Sequence, residues 1–250
     1  MGILEAFDQS EEILTPSKII KKQEGFPSHV IGVFQSAIIE ALLKNYKTEV
    51  ITTLFAGYPI PIYKVTVDGV DIAVYQTPIG APATCGLMEE LIAKGGTSFL
   101  YFGSCGTLDK KIAVGHFILP TKAYREEGMS YHYVAPSEYI DVTTVDTLET
   151  IFQKNGIPYV LGRTWTTDAF YRETKNKVVE RRKEGCICVE MECAAIMAVA
   201  RYRGVKAYQY LYAEDTLDGT EWDPRSMGNV EQSSYEAYLD LGLKISTDLS

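Results

Sequence analysis

Acidic side chains stand beside apolar runs at two places in the second half of this 250-residue chain. Glu190-Met191-Glu192 follows a short β-branched run and precedes an alanine-rich segment with helical spacing. Glu214-Asp215 ends a strand-like apolar run. A carboxylate is costly to bury without a partner, so these positions favour chemistry. A carboxylate accepts hydrogen bonds from a vicinal diol, and a protonated carboxyl can protonate a leaving base.

Each of these carboxyls also has a purely structural interpretation. Glu190 and Glu192 are both compatible with the first turn of a helix, where the macrodipole favours negative charge. Asp215 is compatible with an N-cap or an Asx turn that opens the following polar loop. If the backbone is extended at residues 190–192, the two glutamates point to opposite faces, one toward a pocket and one toward solvent or a structural partner. We expect Glu190 to be the structural one.

Two further motifs follow predicted strands. The strand at residues 98–102 is expected to stop at a tight turn, GSCGT, which begins at Gly103 and supplies backbone amides and the Ser104 hydroxyl. These groups suit an anion, although such residues also form ordinary turns. In the motif TTDAFY, Phe170 stands next to polar groups. Its ring can stack on a flat ligand or fill the core, and Asp168 is a candidate helix cap.

The elements that must position these motifs alternate along the chain. Strand-like and helical patterns follow one another, with one hairpin that turns at Asp68-Gly69 and a first helix at 36–46 with Ser36 as its expected N-cap. This order predicts an α/β protein with a mostly parallel central sheet. Residues 1–250 are predicted to form one domain, in which 1–27 are an irregular arm. Because such sheets bind ligands at the carboxyl ends of their strands, we expect the motifs to converge on one pocket.

Composition excludes several classes of function. The net charge of −9 argues against a protein that binds the phosphate backbone of nucleic acids. The five cysteines fit buried thiols in a reducing compartment, and no second Cys or His pair completes a zinc quartet with Cys186 and Cys188. The sequence contains no apolar run of transmembrane length, and its start is acidic, unlike a signal peptide. We expect a soluble cytoplasmic protein without a metal and without nucleic-acid or membrane partners.

Taken together, the motifs occur in an order that resembles the family I nucleoside phosphorylases, which include purine nucleoside phosphorylases, uridine phosphorylases and related nucleosidases. The order is strand-GSCG, T-D-x-F-Y, V-E-M-E-x-A-A and strand-x-x-D, and it covers about residues 62–215. The most specific element is VEMECAAI. The resemblance implies a three-layer α/β/α fold with a mostly parallel mixed sheet, and a homo-oligomer that is a dimer, a trimer of dimers or a hexamer. It also implies inorganic phosphate as co-substrate and no metal or organic cofactor.

The resemblance implies a role for each matching residue. Met191 would lie under the ribose, Glu192 would hold the 2′- and 3′-hydroxyls, and Phe170 would stack on the base. Asp215 would donate a hydrogen bond or proton to N7 of a purine, and Ser104, with the backbone at Gly103, would contact phosphate. Uridine phosphorylases carry a glutamine–arginine pair after T-D-x-F-Y, whereas this chain continues RETKNK. The resemblance therefore favours phosphorolysis of a purine nucleoside to free base and ribose 1-phosphate, with uridine phosphorylase-like activity as an alternative.

Two departures from the family's motifs concern the binding of the molecule that accepts the sugar. The family's phosphorylases carry G-D-P-x-R after the first strand, whereas this chain reads GVFQSAIIEA. Tyr101 stands where a second phosphate-binding arginine is expected. Either Arg125 or Arg163 takes over the phosphate, or water is the acceptor, as in the related nucleosidases, which use a glutamate in the first loop. Gln35 and Ser36 occupy that region here.

Two further expectations remain open at this stage. A nucleoside-binding protein without catalysis is a third reading, because a fold can persist after its activity is lost. His132 either approaches the sugar or a neighbouring subunit, or is an ordinary surface histidine.

Overall fold

A computed structural model of the protein describes residues 2–219 and 221–249. Met1, Thr220 and Ser250, which belong to the predicted domain of residues 1–250, lie outside the described residues. The strands are β1 His29–Val33, β2 Thr48–Phe55, β3 Pro59–Val67, β4 Val70–Gln76, β5 Ser98–Thr107, β6 Phe117–Glu126, β7 Tyr139–Asp141, β8 Tyr159–Thr167, β9 Cys186–Glu190 and β10 Lys206–Thr216. The helices are α1 Pro16–Ile19, α2 Ser36–Asn45, α3 Ala81–Lys94, α4 Val145–Lys154, α5 Lys175–Lys183, α6 Cys193–Arg203 and α7 Gln232–Asp248.

The described strands form one mixed sheet. In its middle, β4, β1, β5 and β10 run parallel to one another, and the antiparallel strands β3 and β2 extend the sheet beyond β4. On the other side, β10 pairs with β6, β6 with β8, β8 with β9, and β9 with β5 again. These five strands therefore close into a ring in which β5 is paired with β1 as well as with two ring members.

Helices cover both faces of the sheet and confirm the predicted three-layer α/β/α architecture. Helices α3 and α6 share one hydrophobic core with the sheet, and α2, α4 and α7 share the other. Helix α6 is buried from Cys193 through Ala200, because its alanines let the helix axis approach the strands closely. It ends at Gly204, whose φ of 68° is the left-handed conformation that closes a helix.

The predicted turn at GSCGT is wrong, since residues 103–107 continue β5. This segment pairs with β10 along its length and with β9 at Gly106 and Thr107, so its backbone groups are used in the sheet. The glycines serve close packing instead: a Cβ at Gly103 would lie 2.7 Å from the ring of Phe34. The turn propensity of these small residues predicts a turn, but pairing with β10 on one side and β9 on the other holds the segment as a strand.

The structure also decides smaller predictions at the start of α2, at the hairpin and in the N-terminal arm. Ser36 is the first residue of α2, and the cap position belongs to Gln35, which makes no side-chain capping bond. The hairpin at Asp68-Gly69 is confirmed, with φ values of 50° and 81°. In the arm, α1 interrupts the predicted irregular segment, and Glu12 bonds Arg203 at 2.9 Å. None of the helices in the described ranges is long and apolar enough to cross a membrane.

Gly32 of β1 provides the first test of this packing. A Cβ at this position would lie 2.6 Å from Cδ1 of the buried Tyr101 and 3.2 Å from the hydroxyl of Tyr75. Overpacking a core of this kind costs about 1–3 kcal/mol, so Gly32→Ala should lower the free energy of unfolding by that amount in urea titrations. The matched control is Gly86→Ala on an open face of α3, where a Cβ meets no atom within 4 Å. There the change should be neutral or stabilising by up to about 1 kcal/mol. Equal destabilisation by both variants would contradict this description of the core.

Candidate active site at the ends of β5, β8, β9 and β10

The junction between β9 and α6 is built on the buried carboxylate of Glu190. Its Oε1 accepts hydrogen bonds from the hydroxyls of Thr166 at 2.6 Å and Thr164 at 3.2 Å. Its Oε2 accepts from the backbone N–H groups of Glu192 at 2.8 Å and Cys193 at 2.6 Å, where α6 begins. Burial raises the pKa of Glu190, and these four donors oppose the rise. Glu190 therefore has the structural partners that the alternation predicted for one of the two glutamates.

Glu192 is also buried, but its carboxyl accepts fewer hydrogen bonds than that of Glu190. One carboxyl oxygen accepts a hydrogen bond of 2.6 Å from the N–H of Gly80, in the loop before α3. Burial, together with the neighbouring charge of Glu190, raises the pKa of Glu192 to about 8. Met191 is half-buried beside it. Glu192 is thus a buried carboxyl that the N–H of Gly80 holds in place.

Asp215 reaches the same region from β10. Gly106 of β5 is the meeting point, because a Cβ there would lie 3.2 Å from Oδ1 of Asp215 and 3.1 Å from Val189. Asp215 is therefore brought next to the strand that leads into the V-E-M-E motif. Its other oxygen, Oδ2, accepts a 2.6 Å hydrogen bond from the indole N–H of Trp222. The structure thus brings together two of the motifs that were predicted to share one pocket.

Phe170 lies in a short 3-10 helix after β8 and is 49% exposed. Its ring centroid is 4.0 Å from that of Tyr171, so the pair presents an accessible aromatic surface and is not part of the core. Asp168 does not cap a helix: its Oδ2 accepts a hydrogen bond from the N–H of Gly128 at 2.9 Å, which ties this segment to the loop after β6. Burial, together with the charge of Asp215, raises the pKa of the nearby Glu173 to about 7.

Ser104, two residues before Gly106 on β5, lies next to Gln35 and Glu214. The Gln35 amide Nε2 donates to Ser104 Oγ at 3.0 Å. Burial raises the pKa of Glu214, the Ser104 hydroxyl lowers it by hydrogen bonding, and the charge of Asp215 raises it again. Tyr101 is buried, and its hydroxyl lies 3.0 Å from that of Tyr75. The place predicted to contact phosphate is therefore lined by a carboxyl, an amide and a hydroxyl.

Neither arginine that was considered for phosphate is available. Arg125 is buried and donates five hydrogen bonds to Ser130, Val134, Ala135 and Ser137 at 2.8–3.4 Å, which fold the loop after β6 around it. Arg163 stands in the middle of β8 and donates to the carbonyl of Glu184 at 2.6 Å. His132 is exposed on the short 3-10 helix after β6. Arg125 and Arg163 are structural side chains.

Sequence reasoning missed three contributors to this region. Gly80 positions Glu192, Trp222 holds Asp215, and Glu173 adds a half-buried carboxyl near the aromatic pair. The signal for Trp222 was a lone aromatic in the polar loop after β10, and Glu173 directly follows the TTDAFY-Arg segment. Within residues 2–219 and 221–249, no group of three or more His, Cys, Asp or Glu side chains is arranged to hold a metal ion.

The raised pKa of Glu192 gives a pH dependence that stability measurements can detect. Its folded-state pKa of about 8 lies above the usual 4.5, so the folded protein retains a proton that the unfolded chain releases. This contribution to stability is fully present below pH 4.5 and is lost as the pH rises toward 8. Glu192→Gln has no such proton, so its free energy of unfolding should fall less than that of the wild type between pH 5 and 8 in urea titrations. Parallel pH profiles for the two proteins would show that Glu192 ionises normally.

Comparisons with known proteins identify the family of this chain. The model of the family described as the phosphorylase superfamily matches residues 32–240. The chain is 33% identical over 149 residues to guanosine phosphorylase of Halorubrum lacusprofundi, covering 58% of this chain and 61% of that protein. It is 32% identical over 155 residues to uridine phosphorylase of Thermococcus kodakarensis, covering 56% of each. The match thus spans less than two thirds of these two relatives.

Solved structures give the same result at the level of the fold. Purine nucleoside phosphorylase of Toxoplasma gondii, in complex with immucillin-H, has a TM-score of 0.75 at 21% identity and covers 97% of this chain and 98% of its own. Uridine phosphorylase of Vibrio fischeri also has a TM-score of 0.75, at 19% identity, and covers 93% of this chain and 100% of its own. The resemblance carried by the four motifs is confirmed, and the chain belongs to the phosphorylase superfamily.

Proposed function

We propose that this protein cleaves the N-glycosidic bond of a nucleoside, preferably one with a purine base. The observation that carries the proposal is the meeting of β5, β9 and β10 at Gly106, which places Asp215 beside the strand that delivers Met191 and Glu192. One carboxyl for the sugar and one for the leaving base are the groups that this reaction needs. Family membership supports the same chemistry.

The sugar would bind at Met191 and Glu192. The half-buried Met191 offers an apolar surface to the ribose, and Glu192 offers hydrogen bonds to its 2′- and 3′-hydroxyls. The N–H of Gly80 fixes the carboxyl of Glu192 before the ligand arrives, so little side-chain freedom is lost on binding. This arrangement favours a ribonucleoside over its 2′-deoxy analogue, since a missing hydroxyl leaves a buried polar group without its partner.

The base would stack on Phe170 with its N7 toward Asp215. Breaking the bond to C1′ passes through an oxocarbenium-like transition state in which the base takes up negative charge, and a proton from Asp215 relieves that charge. The segment that follows the aromatic pair reads RETKNK and lacks a glutamine–arginine pair for uracil. The similar proteins include guanosine, uridine and purine nucleoside phosphorylases, so the preference for purine rests on Asp215 and on this segment.

Two acceptors are candidates. The names of the relatives favour inorganic phosphate, which would give ribose 1-phosphate as product. A specific feature of this chain favours water: Arg125 and Arg163 are committed to loop carbonyls and hydroxyls, and Ser104 faces the carboxyl of Glu214. The homo-oligomeric state, the cytoplasmic location and the lack of any cofactor stay predictions.

The role of Asp215 can be tested with one isosteric change. Asp215→Asn keeps the shape of the side chain and an oxygen for Trp222 but cannot supply a proton. It should lower kcat for inosine and guanosine by about 10²–10⁴, whereas nucleoside binding should weaken far less. Release of free base, followed by absorbance for inosine, guanosine, adenosine and uridine with and without phosphate, measures this directly. Unchanged turnover in the variant would reduce Asp215 to a structural residue, and a wild type that cleaves none of these nucleosides would favour a binding protein without catalysis.

A further inference from the structure

Three polar side chains, Gln35, Ser104 and Glu214, form a cluster beside β5. Gln35, Ser104 and Glu214 come from the start of α2, from β5 and from β10, and the Ser104 hydroxyl links the other two. Glu214 is buried. The remaining amide oxygen of Gln35, Oε1, is buried and has no hydrogen-bond partner in the described part of the chain. Buried polar atoms are normally paired, so this oxygen points to a small hydrogen-bond donor that belongs there.

The hydrogen-bond acceptors of this cluster suit water better than phosphate as the molecule that receives the sugar. A carboxylate and an amide oxygen only accept hydrogen bonds, and phosphate at neutral pH is an anion rich in acceptors. Phosphate sites are normally built from guanidinium forks or backbone N–H groups, and both candidate arginines are bonded elsewhere. Water has two protons to donate, one to Gln35 and one to Glu214, and keeps a lone pair for a carbon in front of it.

A β-bulge in β10 directs the side chains of the neighbouring residues Glu214 and Asp215 to different positions along β5. The pairing of β10 with β5 shifts between Ala213 and Asp215, so Glu214 is the extra residue of the bulge. Asp215 meets β5 at Gly106, and Glu214 meets it at Ser104. In glycosidases that invert configuration, an acid and a base at separate positions leave room between them for the attacking water.

We propose that Glu214 is the general base of the reaction and that water, held by Gln35 and Glu214, is the acceptor. The water oxygen forms a bond to C1′ while the bond from C1′ to the base nitrogen breaks. The proton of the water passes to Glu214, and the proton of Asp215 passes to the leaving base. Free ribose and free base leave, and Asp215 recovers its proton from solvent as Glu214 releases one. This inference rests on the proposed function and specifies its acceptor.

Product analysis of the wild-type protein is the first test, because it requires no variant. Inosine is incubated with the protein in buffer free of phosphate and in excess phosphate, and the sugar product is identified by chromatography and by ³¹P NMR. We expect free ribose in both reactions, at rates within about twofold. Ribose 1-phosphate formed only in the presence of phosphate would overturn the role of water but leave the proposed function standing. No cleavage under either condition would overturn both.

The second test assigns the base. Glu214→Gln should lower kcat for ribose release by at least about 100-fold and leave the dissociation constant for inosine within about threefold, with a far-UV spectrum like that of the wild type. Glu231→Gln is the matched control, because Glu231 lines the same cleft at the start of α7 but is exposed, and it should retain wild-type turnover. Formate added to Glu214→Ala should restore part of the rate. Full ribose release by folded Glu214→Gln would overturn the assignment.

Discussion

The site depends on one constraint, which is that the carboxylate of Glu190 is buried and must be fully hydrogen-bonded. Its partners are two threonines of β8 and the first N–H groups of α6, so this single side chain fixes how β8, β9 and α6 meet. A buried charge without these donors would cost several kcal/mol. Because Glu190 is held in this way, the next two residues are presented at a fixed angle: Met191 with an apolar surface and Glu192 with a carboxyl that the N–H of Gly80 holds.

The remaining carboxyls differ in environment although they lie close together. Trp222 and Gly106 surround Asp215, whereas Ser104 and the buried end of β10 surround Glu214. Separate surroundings are how two neighbouring acids acquire different roles. A pocket lined by these acidic groups, with Arg125 and Arg163 bonded elsewhere, suits a neutral nucleoside and a neutral acceptor better than an anionic one.

Periodicity and motif order predicted the layers, the hairpin and the grouping of strand ends, because those features follow from hydrophobic patterns along short segments. The same reasoning gave Glu190 a structural role before its partners were known. It failed at residues 103–107, where small residues suggest a turn but strands on both sides impose a strand. It also could not identify the contacts of Gly80 and Trp222, since each joins residues whose proximity depends on the tertiary fold. The bulge that directs Glu214 toward Ser104 has no local sequence signal.

In the proposed complex, a nucleoside lies between Glu192 and Asp215 with its C1′ toward Gln35, Ser104 and Glu214. A crystal structure of the protein with a purine C-nucleoside, whose bond to the base cannot be cleaved, tests it most directly. The ribose 2′- and 3′-hydroxyls should lie within hydrogen-bond distance of the Glu192 carboxyl, the base should stack on Phe170 with N7 at Asp215, and an ordered water should bridge Gln35 and Glu214. A ribose bound away from Glu192, or a base that does not reach Asp215, would contradict the account.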